Sequence, residues 1–160
     1  MIPTLKYIWL TIKHKYFVFL AGLKTRAPFW LLIIHDWTKF TPTEAPYYGR
    51  QFFGKADDPL GFSKAWNHHQ KSNKHHWEYW FTITGHSRGG YPDLTPLPMP
   101  ERYIREMVAD WLGASRAYER QWPKSLSTWK WYSQNFHLIK LHPETREHCN
   151  KILNKILASN

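Results

Sequence analysis

A chain of 160 residues in which 18 % are aromatic, ten of them tryptophan, can bury a large core, which excludes a disordered chain. The single cysteine, Cys149, excludes an intramolecular disulfide and fits a reducing cytosol; without any Cys-x-x-Cys pair, finger-type structural zinc is excluded as well. A net charge of +10, spread along the chain without a long basic run, suits polyanionic partners: nucleic acid, nucleotides or acidic headgroups.

The first predicted element is a helix over 4–23, apolar on most sides, as a central buried helix would be. Its stretch "YFVFLAGL" (16–23) follows Lys13, His14 and Lys15, a faint echo of a targeting segment, but is too short to span a bilayer. "WLLIIHDW" (30–37) follows with the same character, and both read as core helices, with a peripheral membrane contact through the first as the alternative. Pro28 stands like the first residue of a helix over 28–39, ending in the turn around "TPTEAP". Short helices are predicted at 43–53 and 59–72, the second with Asp58 as N-cap and Pro59 at its first position. Asn73 caps a further turn carrying His75, His76 and Glu78. The stretch 82–100 is rich in Gly and Pro and reads as one long loop, holding at most a small hairpin near 82–98. Helices follow at 100–120, 125–136 and 143–158. The expectation is one all-α domain over 1–160, a compact helical bundle.

Residues able to ligate metals recur through these helices: His14, then His35-Asp36, then four histidines within 68–76, then Asp110. In "IIHDW" an ionisable carboxylate stands behind a hydrophobic run, where burial is costly unless the charge is paired or bound to a cation. His35 itself sits among Leu31, Leu32 and Ile34, an apolar neighbourhood in which a hydrogen-bonded core histidine is the plain reading. In 59–72, Phe62, Ala65, Trp66 and His69 form one stripe, so His69 points inward and His68 outward. After the Asn73 cap direction is harder to read; spacing to Tyr79 and Trp80 favours His76 over His75. In 100–120, Tyr103, Ile104, Met107, Val108 and Trp111 mark the buried face, with Asp110 and Glu106 on its border. Register alone leaves Glu106 closer to a solvated edge.

The order His … His-Asp … His … His … Asp resembles the HD-domain superfamily of metal-dependent phosphohydrolases, which are all-helical. More specifically, "HDWTKF" (35–40), "HHQKSNKHHWEYW" (68–80) and "MPERYIREMVADW" (99–111) are similar to the motifs of an HD-like family encoded by phages and bacteria. The likeness covers about residues 10–147. It implies one metal held by His14, His35, Asp36 and Asp110, and a second completed by His69 and His76 with Asp36 as the bridge. His75, Glu78 and Glu106 would stand behind the ligands. Many nucleotide-cleaving members carry glutamate three residues after the His-Asp pair. Here Lys39 stands there, similar to the phosphate-contacting lysine of cyclic-dinucleotide phosphodiesterases, so the substrate does not carry over.

The resemblance implies a cytoplasmic enzyme that hydrolyses a phosphoester of a nucleotide or cyclic nucleotide, with Asp36 and Lys39 at the reacting centre. Mixed His/Asp ligation suits Mn, Fe, Co, Ni or Zn. Lys39 would neutralise phosphate, with His86 and Arg88 of the 82–100 loop, and Arg105, as further substrate contacts. Two alternatives differ in class: a di-iron oxygenase of HD type using the same ligand order, and a basic module that stacks single-stranded nucleic acid on its aromatics without catalysis.

Overall fold

The computed structural model describes residues 2–84 and 93–158. Its helices are α1 (Pro3–Thr25), α2 (Phe29–Ile34), α3 (Ala45–Phe53), α4 (Pro59–Ser72), α5 (Glu101–Tyr118), α6 (Lys130–Asn135) and α7 (Pro143–Leu157). Single 3-10 turns lie at Trp37–Phe40, Trp77–Tyr79 and Phe136–Leu138. The sheet among the described residues is one antiparallel hairpin, β1 (Phe81–Thr84) with β2 (Asp93–Pro96), in the register Phe81 to Pro96 and Thr84 to Asp93. The all-α expectation is met, and the 82–100 stretch contributes the two strands at its ends.

Local chemistry sets several boundaries. Pro3, Pro59 and Pro143 open α1, α4 and α7, where the missing N–H is no loss. The Asp58 carboxylate accepts from the Gly61 N–H at 2.8 Å, the cap expected from the sequence. α1 ends when Arg26 turns left-handed and its N–H reaches the Gly22 carbonyl. α1 lies against α5, α3 and α2. Its approach to α5 is close because Gly113 has no side chain: a Cβ there would come within 2.6 Å of the Val18 nitrogen.

Two apolar clusters result. The larger joins Val18 and Ala21 of α1 to Ile104, Met107, Val108 and Leu112 of α5 and to Cys149 and Leu153 of α7. Burial pushes the Cys149 thiol up to about 12, so it packs as a small apolar group. The smaller joins Tyr7, Tyr48 and Ala65, with Tyr47 and Phe62 against it. His14 lies on α1 between Tyr7 of one cluster and Val18 of the other, and the polar site occupies that gap.

Two expectations are corrected here. The helix over 28–39 is broken: α2 stops at Ile34, and a separate 3-10 turn begins at Trp37. Nor are the first two helices buried all round. Leu31 and Leu32 are the buried residues of α2, and α1 leaves a continuous apolar stripe in contact with solvent. Periodicity showed that these segments were apolar, but not how many neighbours would cover them.

Candidate metal centre

The break after α2 builds the site. His35 is extended (φ −47°, ψ 130°) and Asp36 is left-handed (φ 55°), a conformation that costs a non-glycine residue about 1–2 kcal/mol. Its surroundings hold it there. The Lys15 ammonium donates to the carbonyls of Ile33 and His35, satisfying the end of α2. The Lys39 N–H closes a turn onto the Asp36 carbonyl at 3.0 Å. The turn drives both side chains inward, and His35 and Asp36 are fully buried.

The two oxygens of Asp36 face different partners. Oδ2 lies 3.2 Å from His14 Nε2 and 3.5 Å from His35 Nε2. Both nitrogens also approach Asp110 Oδ1, at 3.0 and 3.5 Å. Oδ1 lies 3.3 Å from His69 Nε2 and 3.4 Å from His75 Nε2, and His69 Nε2 is 2.9 Å from His76 Nε2. Two groups of four potential ligands therefore share Asp36: His14, His35, Asp36 and Asp110, and Asp36, His69, His75 and His76.

These spacings fit cations. Ligand atoms about 2.1 Å from one ion stand roughly 3.0–3.4 Å apart in tetrahedral or octahedral arrangements. Facing imidazole nitrogens at 2.9 Å, and at 3.5 Å for His14 and His35, are a poor arrangement for neutral rings whose Nε2 atoms carry lone pairs. Asp36 Oδ1 and His75 Nε2 are moreover buried without a hydrogen-bond partner.

Behind the ligands, carboxylates orient the rings. Glu106 Oε1 lies 3.0 Å from His35 Nδ1 and 3.2 Å from His75 Nδ1. Glu44 Oε2 lies 2.9 Å from His69 Nδ1, which Thr38 and Asn73 also approach. A carboxylate only accepts, so these Nδ1 atoms carry the protons and donate them, leaving each Nε2 turned toward the cluster. His76 Nδ1 stands 3.6 Å from Glu78 Oε2. The grouping of His35, His75 and Glu106 belongs to this supporting layer, because Glu106 meets both rings at Nδ1.

The electrostatics follow from four carboxylates (Asp36, Glu44, Glu106 and Asp110) gathered near the ammonium groups of Lys39 and Lys15. Burial alone would raise the pKa of Asp36, but the charges on His35, Lys39 and His69 hold it well below the usual range. Burial would depress His75, yet the carboxylates of Asp36 and Glu106 beside the ring outweigh it and push it up to about 10. His76 goes the other way: burial, then the charge of His75, takes it down to about 4. Lys39, whose Nζ is 2.6 Å from Asp36 Oδ2, stays charged: burial opposes, but Asp36 raises it well above the ordinary lysine value.

A cavity of about 460 Å³ opens beside the first group, within the range of small-molecule sites. His14, Lys39, His76 and Asp110 form its polar end; Tyr7, Tyr48, Phe52, Trp66 and Tyr118 form aromatic walls. The Tyr7 and Tyr48 hydroxyls are buried without partners, and burial raises both phenols, so they remain protonated donors.

His14, His35, Asp36, Lys39, His69, His76 and Asp110 thus come together as the sequence suggested, with His69 buried and the His68 side chain 40 % exposed. His75, expected behind the ligands, joins His69 and His76 in the second group of potential ligands, because the turn at 73–77 aims both imidazoles of the pair at Asp36 or His69. Glu106 is no solvated edge: it is buried on both histidines. His35, read as a core histidine in an apolar neighbourhood, meets His14, His75, Glu106 and Asp110 instead. Arg105 is not at the site; it binds Glu101 and the Thr25 carbonyl beside a different surface cleft. His86 and Arg88 lie outside the described residues. Sequence reading missed Glu44, whose place in "TPTEAP" marks a turn and nothing more. It also missed Tyr7, although Tyr7 stands two helical turns before His14 on the same face.

Fold and site together define a helical protein with a buried histidine–carboxylate cluster, in which two groups of potential metal ligands share one aspartate. Residues 4–155 match a family of unknown function (DUF5662), and the chain belongs to that family. No curated protein and no solved structure matches it.

Proposed function

We propose that this protein is a dinuclear metal-dependent phosphohydrolase of HD type, acting on a phosphoester of a nucleotide or cyclic nucleotide. The observation that carries this reading is the position of Asp36, with one carboxylate oxygen turned to each ligand group. His14, His35 and Asp110 would hold one cation with Asp36, and His69, His75 and His76 the other. Mn, Fe, Co, Ni or Zn suit such mixed donors. Two such cations, when bound, supply a water of lowered pKa and charge that neutralises phosphoryl oxygens.

The chain's own groups supply the rest. Lys39 holds a phosphoryl oxygen as a compact positive charge at the polar end of the cavity. The unpartnered Tyr7 and Tyr48 hydroxyls offer hydrogen bonds to the same group. Ring faces along the walls take a flat base and keep water from the reacting end. Glu44 and Glu106 keep the imidazoles in the ligating tautomer.

The test is metal analysis of the purified protein, followed by a panel of mononucleotides, cyclic nucleotides and cyclic dinucleotides with phosphate and nucleoside detection. Two metals per chain and turnover of one member, abolished by chelator, are expected. Two metals with no phosphoester turned over, and substrate-dependent oxygen uptake by the iron-loaded protein, would replace hydrolysis with oxidation.

A further inference from the structure

The outward side of α1 is apolar where an ordinary surface helix is polar. Its buried face carries Tyr7, Thr11, His14, Val18, Ala21, Gly22 and Thr25, whereas Ile2 at its N-cap and Leu5, Trp9, Ile12, Tyr16 and Leu23 along it are exposed. These six recur at spacings of three and four, or seven, and so lie along one side of the helix. α2 continues the surface with Phe29, Trp30, Ile33 and Ile34, and Trp37 follows at its end. Phe19 and Phe29 pack edge to face at 5.7 Å and join the two helices. Trp9 is 68 % and Trp37 66 % exposed. An apolar surface this continuous marks a place where something docks.

Charge identifies the occupant. Residues 1–35 contain Lys6, Lys13, Lys15, Lys24 and Arg26 and no Asp or Glu. Lys6 and Lys13 flank the stripe, four residues after Ile2 and Trp9. Against a second copy of this face, Lys6 and Lys13 would meet lysines in parallel or antiparallel pairing, with no carboxylate to relieve them. An anionic bilayer complements the same arrangement: apolar side chains enter the interface, tryptophans and Tyr16 sit at headgroup level, and the flanking lysines meet lipid phosphates. No helix among the described residues is long and apolar enough to cross a membrane, so the contact is interfacial.

We infer that the exposed face of α1 and α2 docks this protein onto an anionic lipid surface. The cavity is lined from a different side of α1, by Tyr7, Leu10 and His14, so docking leaves its mouth clear. The inference is independent of any chemistry at the histidine cluster.

The experiment is co-sedimentation with vesicles of phosphatidylcholine alone and of phosphatidylcholine mixed with phosphatidylglycerol, over a range of salt. Wild-type protein should bind the mixed vesicles, with a blue shift of tryptophan emission and affinity falling as salt rises. Trp9→Gln with Trp30→Gln should weaken binding by at least about tenfold while leaving the helical circular dichroism and metal content unchanged. Lys6→Gln, Lys13→Gln and Lys24→Gln together should lose about fivefold per lysine on mixed vesicles and little on neutral ones. Should the tryptophan variant lose helicity, the lysine variant decides alone. Wild-type protein left in the supernatant would overturn the inference. So would a stable dimer in sedimentation velocity that the tryptophan variant dissociates, which would assign the face to a second copy.

Discussion

The two ligand groups share Asp36 but are built in different ways. The first gathers His14 from α1, His35 from the break after α2 and Asp110 from α5, three elements far apart in the chain. The second takes His69, His75 and His76 from one short segment at the end of α4. The first carries two carboxylates for two imidazoles, the second one carboxylate for three. Their support differs too. In the second group His69 and His75 are anchored through Nδ1 by Glu44 and Glu106; in the first, Glu106 anchors His35 alone, while His14 Nδ1 is buried without a partner and its ring stacks on Tyr118 at 5.8 Å. A group of two carboxylates can attract a cation by charge alone. A group of three imidazoles has to be held in place and kept unprotonated.

Asp36→Ala removes the element common to both groups and should have the largest effect. Both metals and all hydrolysis should be lost, well beyond the ~100-fold that losing an outer partner costs. In chelator the variant should also melt below the wild type, because Lys39 loses its 2.6 Å partner. Stoichiometric metal in this variant would end the shared-aspartate reading.

Single-group variants come next. His75→Ala should reduce metal content from two ions per chain to one, and Asp110→Ala should do the same by emptying the other group. Metal-specific spectroscopy of cobalt-loaded protein should show a different survivor in each. Identical spectra would erase the distinction between the groups.

Supporting carboxylates sharpen it further. Glu106 bonds a histidine of each group, so Glu106→Gln should weaken both metals by about 10–100-fold. Glu44→Gln should weaken only the second. Titration with Mn²⁺ monitored by calorimetry separates the two patterns.

Protonation adds a dependence on pH. In metal-free protein His75 is held up to about 10, above the ~6.5 of an unfolded histidine. Its contribution to stability is therefore complete below that unfolded value and lost as pH rises through 10. His76, taken down to about 4, contributes with the opposite sign: its share is lost as pH falls from about 6.5 toward 4. These two rings alone make the metal-free protein most stable near neutrality. Coordination at His75 must release a proton, so second-group affinity should rise by about tenfold per pH unit through this range. Calorimetry in buffers of differing ionisation enthalpy counts that proton; an affinity independent of pH would place His75 outside the ligands.

The smallest effect belongs to His68→Ala. Its ring is outside the groups and bonds Glu44 Oε1 at 2.7 Å, so metal content should stay intact with at most a few-fold change in activity. Loss equal to that of His69→Ala would show that both imidazoles ligate.

What the sequence determined by itself was local. Proline placement, the Asp58 cap and apolar periodicity place most helices, because those signals involve residues within a turn or two of each other. The same period turned His69 inward and His68 outward on α4. Where regular helix stops, that reasoning stops: the 3-10 turn after Asn73 has too few residues to carry a register, and it did not show that His75 would approach Asp36 beside His69. The break at His35-Asp36 was equally hidden, since Lys15, twenty residues earlier, helps to hold it. Only tertiary structure decided that Glu44 would meet His69 and that Glu106 would meet two histidines at once, because each contact joins elements distant in the chain. It also decided which apolar faces are covered. Apolarity is a property of α1 itself, but burial depends on what packs against it, and α3 and α5 leave its outward stripe uncovered.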